Sequence, residues 1–404
     1  MVTFEQYIRE SILTKEELDV FLSTEESSWA QFDSEVGYIL GNYMPRDGID
    51  DSLTISTSSA NGARSSVIYT DRPCRINTYG NSFTQCHQVS DHETWQEYLA
   101  AHLGEPIRNF GMGGFGVYQA YRRLIRTEVT DDGADYNILY IWGDDHYRSV
   151  LRCRHVLSMG WHREHRRLAG RMFHGNFWSN LEMDMHQGAF VERDSVLPTP
   201  ESLYQMTDPD FMVGALRDDL MLQMSLFCND DTQDVDKQKL NCLAEHLGCC
   251  HLAGGSTDDF KNQVADLRTT YAFAATRYII ERADAFAAEN GKKLLIVLFC
   301  PGATRQLITN GERYDQPVVD YLEEKGTHYF DMNLVHVEDY KSFNLSLDEY
   351  MNRYLTGHYT PFGNHFFAFA IKNEIVDWLD PKPVTYRDDT EARISFKEGY
   401  LPGG

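Results

Sequence analysis

The chain has 404 residues, of which 42% are hydrophobic, 13% aromatic and 24% charged, and its formal net charge is −24. Aromatic residues at this level supply the large side chains of a packed core, so an intrinsically disordered chain is excluded. A surface this acidic repels phosphate backbones and anionic lipid heads, which excludes nucleic acid and membranes as natural partners.

Residues 1–72 are predicted to form a helical and β-rich entry segment. Thr14-Lys15-Glu16-Glu17 has the spacing of a capping box ahead of a helix, and short β-prone pieces broken by glycine and aspartate follow. The first residues show no basic region followed by a long apolar run, so no signal peptide is predicted. Without an export signal, the eight cysteines are expected to be free thiols, and the expected location is cytoplasmic.

From residue 73 onward, β-prone runs and helical patterns alternate. Strands are predicted over 74–79, 106–110, 136–142, 294–299 and 327–332. Helices are predicted over 93–103, 117–126, 269–290, 317–324 and 362–379. This alternation predicts an α/β fold with a doubly wound, mostly parallel sheet.

Two parts of the chain carry this α/β pattern, 73–152 and 267–380, and together they are the predicted catalytic domain. The segment between them, 153–266, is rich in His, Met and Asp and shows helical spacing in places. We expect it to be a mainly helical insertion that caps one end of the sheet. Residues 381–404 are predicted to be an extended C-terminal tail.

Four polar or glycine-rich stretches follow the predicted strands or precede the last helix. They are GNSFT at 80–84, NFGMGGFG at 109–116, GDDH at 143–146 with Arg148, and GHYTPFGNH at 357–365. Because ligand chemistry collects at the carboxyl ends of parallel strands, one shared site is predicted. At the first stretch, Ser82 is either an exposed nucleophile or a turn serine that caps the next helix. The glycines of the second stretch let backbone N–H groups approach a substrate closely.

In order and spacing, these stretches resemble the sequence blocks of the SGNH (GDSL-like) hydrolase superfamily. The resemblance implies that Ser82 is the nucleophile, that Gly114 belongs to the oxyanion hole and that His358 is the general base. It also implies a three-layer α/β/α fold of the SGNH or flavodoxin-like type. The chemistry of this superfamily needs no metal and no other cofactor.

Two positions depart from the family pattern. The oxyanion asparagine of the third block aligns with Asp144, and an ionised carboxylate cannot donate a hydrogen bond, so Asp144 must be protonated, turned away or otherwise engaged. The acid that precedes the catalytic histidine aligns with a residue that cannot ionise. The group that orients His358 must then be a carbonyl, a hydroxyl or a distant acid such as Asp145 or Asp348. His365 is the competing base, although its spacing places it inside the last helix.

These roles imply a serine esterase that cleaves a small carboxylic ester, such as an O-acyl group on a sugar or another metabolite. Ser82 would attack the carbonyl while His358 removes its proton, and the N–H groups of Ser82 and Gly114 would hold the oxyanion. An acyltransferase that uses the same acyl-enzyme is the alternative within the enzyme class. A catalytically silent binding module is the alternative outside it. Cytosolic enzymes with a large insertion are often homo-oligomers, so self-association is a further expectation.

Two other clusters raise the question of a metal site. His162-x-x-His165 could lie on one helix face, but its charged neighbours favour a solvated surface. Cys242-x3-His246-x2-Cys249 has no second ligand pair at a known zinc spacing, so buried thiols are favoured. The overall acidity, together with the aromatic residues after the third block, favours a neutral or cationic substrate over an anionic one.

Overall fold

The computed structural model describes residues 2–25, 28–158, 174–253 and 256–387. The strands in chain order are β1 (Ala30–Asp33), β2 (Gly37–Leu40), β3 (Ile76–Tyr79), β4 (Ile107–Asn109), β5 (Tyr136–Ile141), β6 (Asn180–Asp184), β7 (Ala189–Arg193), β8 (Lys293–Leu298), β9 (Tyr329–Asp331), β10 (Leu355–Thr356) and β11 (His358–Tyr359). The α-helices are Phe4–Arg9, Lys15–Leu22, Ser82–Gln85, Trp95–Leu103, Val117–Thr127, Asp145–Arg148, Pro209–Leu216, Leu220–Cys228, Lys237–His246, Thr257–Glu289, Pro301–Asn310, Gln316–Lys325, Met332–Tyr340, Leu347–Tyr354 and Pro361–Trp378.

A five-stranded sheet in the order β4-β3-β5-β8-β9 lies at the centre, and every pairing in it is parallel. All residues of β3 and β5 are buried, because helices cover both faces of the sheet. Among the sheet strands the spatial order is 2-1-3-4-5 in chain numbering, as in doubly wound sheets. The direction of winding reverses between β3 and β5, which leaves a crevice at their carboxyl ends. The predicted α/β fold with a parallel sheet is confirmed.

Two hydrophobic cores lie on opposite faces of this sheet. One face packs against Trp95–Leu103 and Pro361–Trp378. The other face shares a continuous core with the N-terminal segment, with much of the insertion and with the helices Val117–Thr127 and Thr257–Glu289. The entry segment and the insertion therefore pack on the sheet rather than standing apart from it.

The N-terminal segment contains the predicted capping box. The Thr14 hydroxyl accepts from the Glu17 N–H at 3.2 Å, and the Glu17 carboxylate accepts from the Thr14 N–H at 2.8 Å. The helix Lys15–Leu22 follows, and β1 and β2 then pair as an antiparallel hairpin. All eight cysteines are free thiols, as expected.

The described part of the insertion contains a β-hairpin as well as the expected helices. Three helices lie between 209 and 246, but they are preceded by the antiparallel hairpin of β6 and β7. The hairpin turns at Gly188, which has φ +65, and the Asp184 carboxylate accepts from the His186 N–H at 2.8 Å in the turn. The following long helix begins at Thr257 rather than at 269, because Ser256 caps it and Phe260, Val264 and Leu267 extend its buried face. Among the described residues, no helix is long and apolar enough to cross a bilayer.

Candidate active site

Ser82 stands at the carboxyl end of β3, as the first residue of the short helix Ser82–Gln85. The residue that caps this helix is Asn81, whose side-chain oxygen accepts from the Phe83 N–H at 2.7 Å. Capping therefore does not occupy the hydroxyl of Ser82. The Ser82 side chain faces the crevice where the sheet order reverses, and it lines a cleft of about 290 Å³ there.

The structure brings Ser82 and His358 together across 276 positions of sequence, with 2.7 Å between Ser82 Oγ and His358 Nε2. His358 lies in β11, which pairs with β10 in a tight hairpin around Gly357. Gly357 has φ +94, a conformation that glycine adopts at little cost. The hairpin directly precedes the last helix, so the predicted histidine loop reaches the end of β3.

Gln88 orients the imidazole of His358. Gln88 Oε1 lies 2.8 Å from His358 Nδ1 and also accepts the backbone N–H of His358 at 3.1 Å. Because a backbone N–H can only donate, the shared side-chain atom is the amide oxygen, and Nδ1 must carry its proton. The unprotonated Nε2 then faces the hydroxyl of Ser82, which is the tautomer that a general base requires. Gln88 Nε2 in turn donates to the backbone oxygen of Asp47 at 3.1 Å.

Neither acid that the sequence offered as the orienting group is a hydrogen-bond partner of His358. Asp348 is exposed in the helix Leu347–Tyr354, where it pairs with Arg305 Nη1 at 2.6 Å. Asp145 is buried after the end of β5, where its carboxylate accepts a hydrogen bond from the Trp142 N–H at 2.8 Å. Of the three kinds of orienting group expected, the structure has a carbonyl, the side-chain amide oxygen of Gln88, and the two candidate acids Asp145 and Asp348 do not have this role. Gln88 was missed because an uncharged residue six positions after the serine carries no recognisable signal.

Burial is the main reason why the pKa of His358 lies well below its usual range. The neighbouring His87, whose ring centroid is 5.0 Å away, lowers this pKa further, and so does Arg148. Asp47 acts in the opposite sense, and its carboxylate lies 3.0 Å from His87 Nε2. The imidazole is therefore neutral near pH 7 and able to accept a proton. The partners of its two ring nitrogens are Gln88 and Ser82, and no described carboxylate is hydrogen-bonded to it.

Gly114 lines the same cleft as Ser82 and His358. Its φ is +82, and a Cβ at this position would lie 2.3 Å from Arg154 Nη1 and 2.7 Å from Tyr38 Oη. Only glycine therefore fits at 114 without displacing its neighbours. The geometry places this predicted oxyanion residue beside the Ser82–His358 pair.

The side chains of Asp144 and His365, the remaining predicted site residues, do not contact Ser82 or His358. The side chain of Asp144 is 61% exposed and accepts from Arg148 Nη2 at 3.2 Å, so the expectation that it contributes to the oxyanion hole is corrected. This orientation keeps a carboxylate away from a developing negative charge. His365 is exposed on the last helix, with its ring 5.4 Å from that of Tyr98. It has no contact with Ser82 and is not placed as an alternative base.

Asn81 and Asp145 link the ends of β3 and β5, because Asn81 Nδ2 donates to Asp145 Oδ2. Burial raises the pKa of Asp145 to about 7, although Arg148 and Asn81 favour its ionised form. An aspartate at position 81 would set two carboxylates against each other here. The amide at this position therefore fits the buried acid that it contacts.

Of the two clusters considered as metal sites, the structure describes only the one around Cys242 and His246. Among the residues that the structure describes, no three His, Cys, Asp or Glu side chains are grouped to hold a metal ion. Cys242 Sγ lies 3.6 Å from His246 Nε2, one turn along the helix Lys237–His246. His162 and His165 lie outside the described residues.

No model of a known protein family matches this chain, and no curated protein matches it either. The functional inference therefore depends on the geometry of the cleft and on the motifs that form it.

Proposed function

We propose that this protein is a serine hydrolase of the SGNH type that cleaves a small carboxylic ester. The observation that carries this proposal is the 2.7 Å contact between Ser82 Oγ and the unprotonated Nε2 of His358, in an open cleft. The strand order also supports an SGNH-type scaffold, as do three motifs at the ends of sheet strands and a fourth directly before the last helix. Free thiols throughout the chain support a reducing, cytoplasmic location.

In the acylation step, Ser82 Oγ attacks the ester carbonyl while His358 Nε2 takes the hydroxyl proton. The N–H groups of Ser82 and Gly114 are assigned to the oxyanion, where one well-placed donor contributes about 3–4 kcal/mol. His358 then returns the proton to the departing alcohol oxygen, and the acyl group stays on Ser82. A water molecule, deprotonated by the same imidazole, releases the acid and restores the serine.

Gln88 performs only part of the task that an acid has in a catalytic triad. Its amide oxygen holds the Nδ1–H tautomer, so the lone pair of Nε2 always faces Ser82. A neutral amide does not stabilise the imidazolium as a carboxylate does. We therefore expect a working but slower base, best matched to activated or reactive esters.

Covalent labelling of Ser82 tests this proposal directly. The protein is incubated with a fluorophosphonate, and the peptide that contains Ser82 is analysed by mass spectrometry. We expect an adduct on Ser82 that is absent from Ser82→Ala and strongly reduced in His358→Ala. His365→Ala is the matched control, because it removes a nearby imidazole that does not contact Ser82, and it should label like the unchanged protein.

The second arm measures release of p-nitrophenol from p-nitrophenyl acetate. Hydrolysis that follows the labelling pattern supports the esterase. Faster release when an alcohol is added, with acyl transfer to that alcohol, would instead indicate an acyltransferase. If Ser82 is not labelled and the ester is not cleaved, the silent binding module is the better description.

A further inference from the structure

A second cavity of about 530 Å³ adjoins the cleft beside Ser82. Arg148, Arg154 and His174 line both spaces, so the second cavity lies next to the cleft that holds Ser82. Arg268, from the long helix Thr257–Glu289, also lines the second cavity. Three guanidinium groups thus surround one cavity in a chain whose net charge is −24.

Arg154 has hydrogen-bonding capacity that the described residues do not use. Its Nη1 atom is buried without a hydrogen-bond partner among them. This atom lies against Gly114, since a Cβ on Gly114 would meet it at 2.3 Å. Burial, reinforced by the charge of Arg148, lowers the pKa of Arg154 to about 10, so it is still a cation at neutral pH. The Tyr38 hydroxyl interacts with the Arg154 guanidinium, but a buried N–H that lacks an acceptor is unfavourable, and an anionic ligand would supply one.

Arg268, which also lines the second cavity, has a similar buried nitrogen. Its Nε atom is buried without a hydrogen-bond partner in the described part of the chain. Its guanidinium carbon lies 5.1 Å from the centroid of the Tyr147 ring, which holds the group in place. Two arginines from different elements therefore line one cavity, and each has a buried nitrogen without a hydrogen-bond partner among the described residues.

Arg148, the third arginine, differs from these two because carboxylates already pair with its charge. Arg148 pairs with Asp144 at 3.2 Å and with the buried Asp145 at 3.2 Å. Neither Arg154 nor Arg268 has a carboxylate within ion-pair distance among the described residues. Within the described part of the chain, Arg154 and Arg268 therefore form no ion pair, and Asp144 is the acidic residue among the described lining of the second cavity.

We propose that this cavity binds an anionic group of the substrate, a carboxylate or a phosphate, while the ester bond lies at Ser82. The inference rests on the proposed esterase function and adds the class of ester. Guanidinium groups bind carboxylate and phosphate oxygens through paired, charge-assisted hydrogen bonds. The expectation of a neutral or cationic substrate came from the charge of the whole chain, whereas the local charge at this cavity has the opposite sign.

Matched ester pairs test the proposal and locate the anion. On the alcohol side, 4-acetoxybenzoate is compared with 4-acetoxybenzamide, and 4-acetoxyphenyl phosphate separates phosphate from carboxylate. On the acyl side, p-nitrophenyl hydrogen glutarate is compared with p-nitrophenyl butyrate. We expect kcat/KM for at least one anionic ester to exceed that of its neutral partner by about 10- to 100-fold.

Arg268→Gln is the informative variant, because Arg268 lies away from Ser82 and Gly114. It should reduce the anionic preference at least tenfold while hydrolysis of the neutral ester stays within about twofold. Arg277→Gln is the matched control, since it removes the same charge from the opposite side of the same helix. Arg277→Gln should keep the preference.

A binding measurement separates failure of this inference from failure of the esterase proposal. Titration calorimetry with glutarate and with inorganic phosphate is performed on Ser82→Ala, with and without Arg268→Gln. Binding that needs Arg268 supports the anion subsite even if no ester is cleaved. Equal cleavage of neutral and anionic esters, or an anionic preference that survives Arg268→Gln, overturns the subsite and leaves the esterase. If neither anion binds and no ester is cleaved, the anion subsite is overturned as well.

Discussion

The cleft at Ser82 has two walls, which come from different parts of the chain. The sheet wall, formed by Ser82, Gly114 and His358, follows the ends of β3 and β4 and the hairpin before the last helix. The cap wall, formed by Trp29, Arg154 and His174, comes from the entry segment and the insertion. Parallel strands lead into the sheet wall, whereas the cap wall is held by an isolated bridge between Cys153 and Phe177 and by packing of the Trp29 ring against His174. We infer that the sheet wall determines the reaction and the cap wall determines which ester reaches it.

The largest effect beyond removal of the dyad should come from Gly114→Ala on the sheet wall. The added Cβ meets Arg154 Nη1 at 2.3 Å, so the loop must move. We expect kcat to fall by about 10²- to 10³-fold, as for the loss of one oxyanion donor. Gly311→Ala is the control, because Gly311 has a similar φ of +76 but nothing within 4 Å of a Cβ. Equal rates for the two variants would contradict a special role for Gly114.

Gln88 is the next position, because it supports the sheet wall without lining the cleft. Gln88→Ala removes the acceptor for His358 Nδ1–H, and we expect kcat to fall by about 10²-fold through loss of an oriented base. Gln88→Glu keeps the acceptor and adds a charge that stabilises the imidazolium. It should therefore retain more activity than Gln88→Ala and shift the acid limb of the pH profile upward. Similar pH profiles for Gln88→Glu and the unchanged protein would argue against the orienting role.

Asp145 connects the stability of the sheet wall to pH. Its pKa is raised to about 7 in the folded chain, so between pH 4 and 7 the folded state binds more protons than the unfolded state. The free energy of unfolding should thus fall as pH rises, with Asp145 contributing a loss of about 1 kcal/mol between pH 6 and 8. Urea titrations at the two pH values measure this loss.

Asp145→Asn should remove this loss, and the exposed neighbour Asp144→Asn should keep it. A pH dependence that is identical in the unchanged protein and Asp145→Asn would mean that the buried carboxyl titrates normally.

The smallest effect concerns Asp47, which acts on the base from outside the cleft. Since the pKa of His358 is lowered, kcat/KM for a neutral ester should stay constant down to pH 6.5 and fall only as the pH passes below this pKa. Asp47→Asn removes a carboxylate that raises the pKa of His358, so the acid limb should move to lower pH by less than about one unit. Asp348→Asn should leave the limb unchanged. If the acid limb of the unchanged protein had its midpoint at or above pH 6.5, burial would not lower the pKa of His358.

The sequence by itself determined the parts of the molecule that depend on local pattern. Alternating apolar strands and amphipathic helices predicted the parallel sheet, and the ends of those strands located Ser82 and Gly114. The histidine motif before the last helix located His358, although 276 positions separate it from Ser82. The parallel sheet is confirmed, and Ser82 and Gly114 line one cleft because topology brings the carboxyl ends of parallel strands to one edge.

Only the tertiary structure decided which side chains surround those residues. A neutral Gln88 orients the base, Asp144 turns to Arg148, and two arginines keep unused donors beside the cleft. The hairpin β6–β7 within the insertion was likewise not predicted from the sequence. Each depends on contacts between segments that are distant in the chain, and on burial that changes the cost of charge. The spacing of apolar residues along the chain predicts helices and strands, but it does not determine which distant side chains hydrogen-bond to each other. Many different pairs of side chains are compatible with the same spacing.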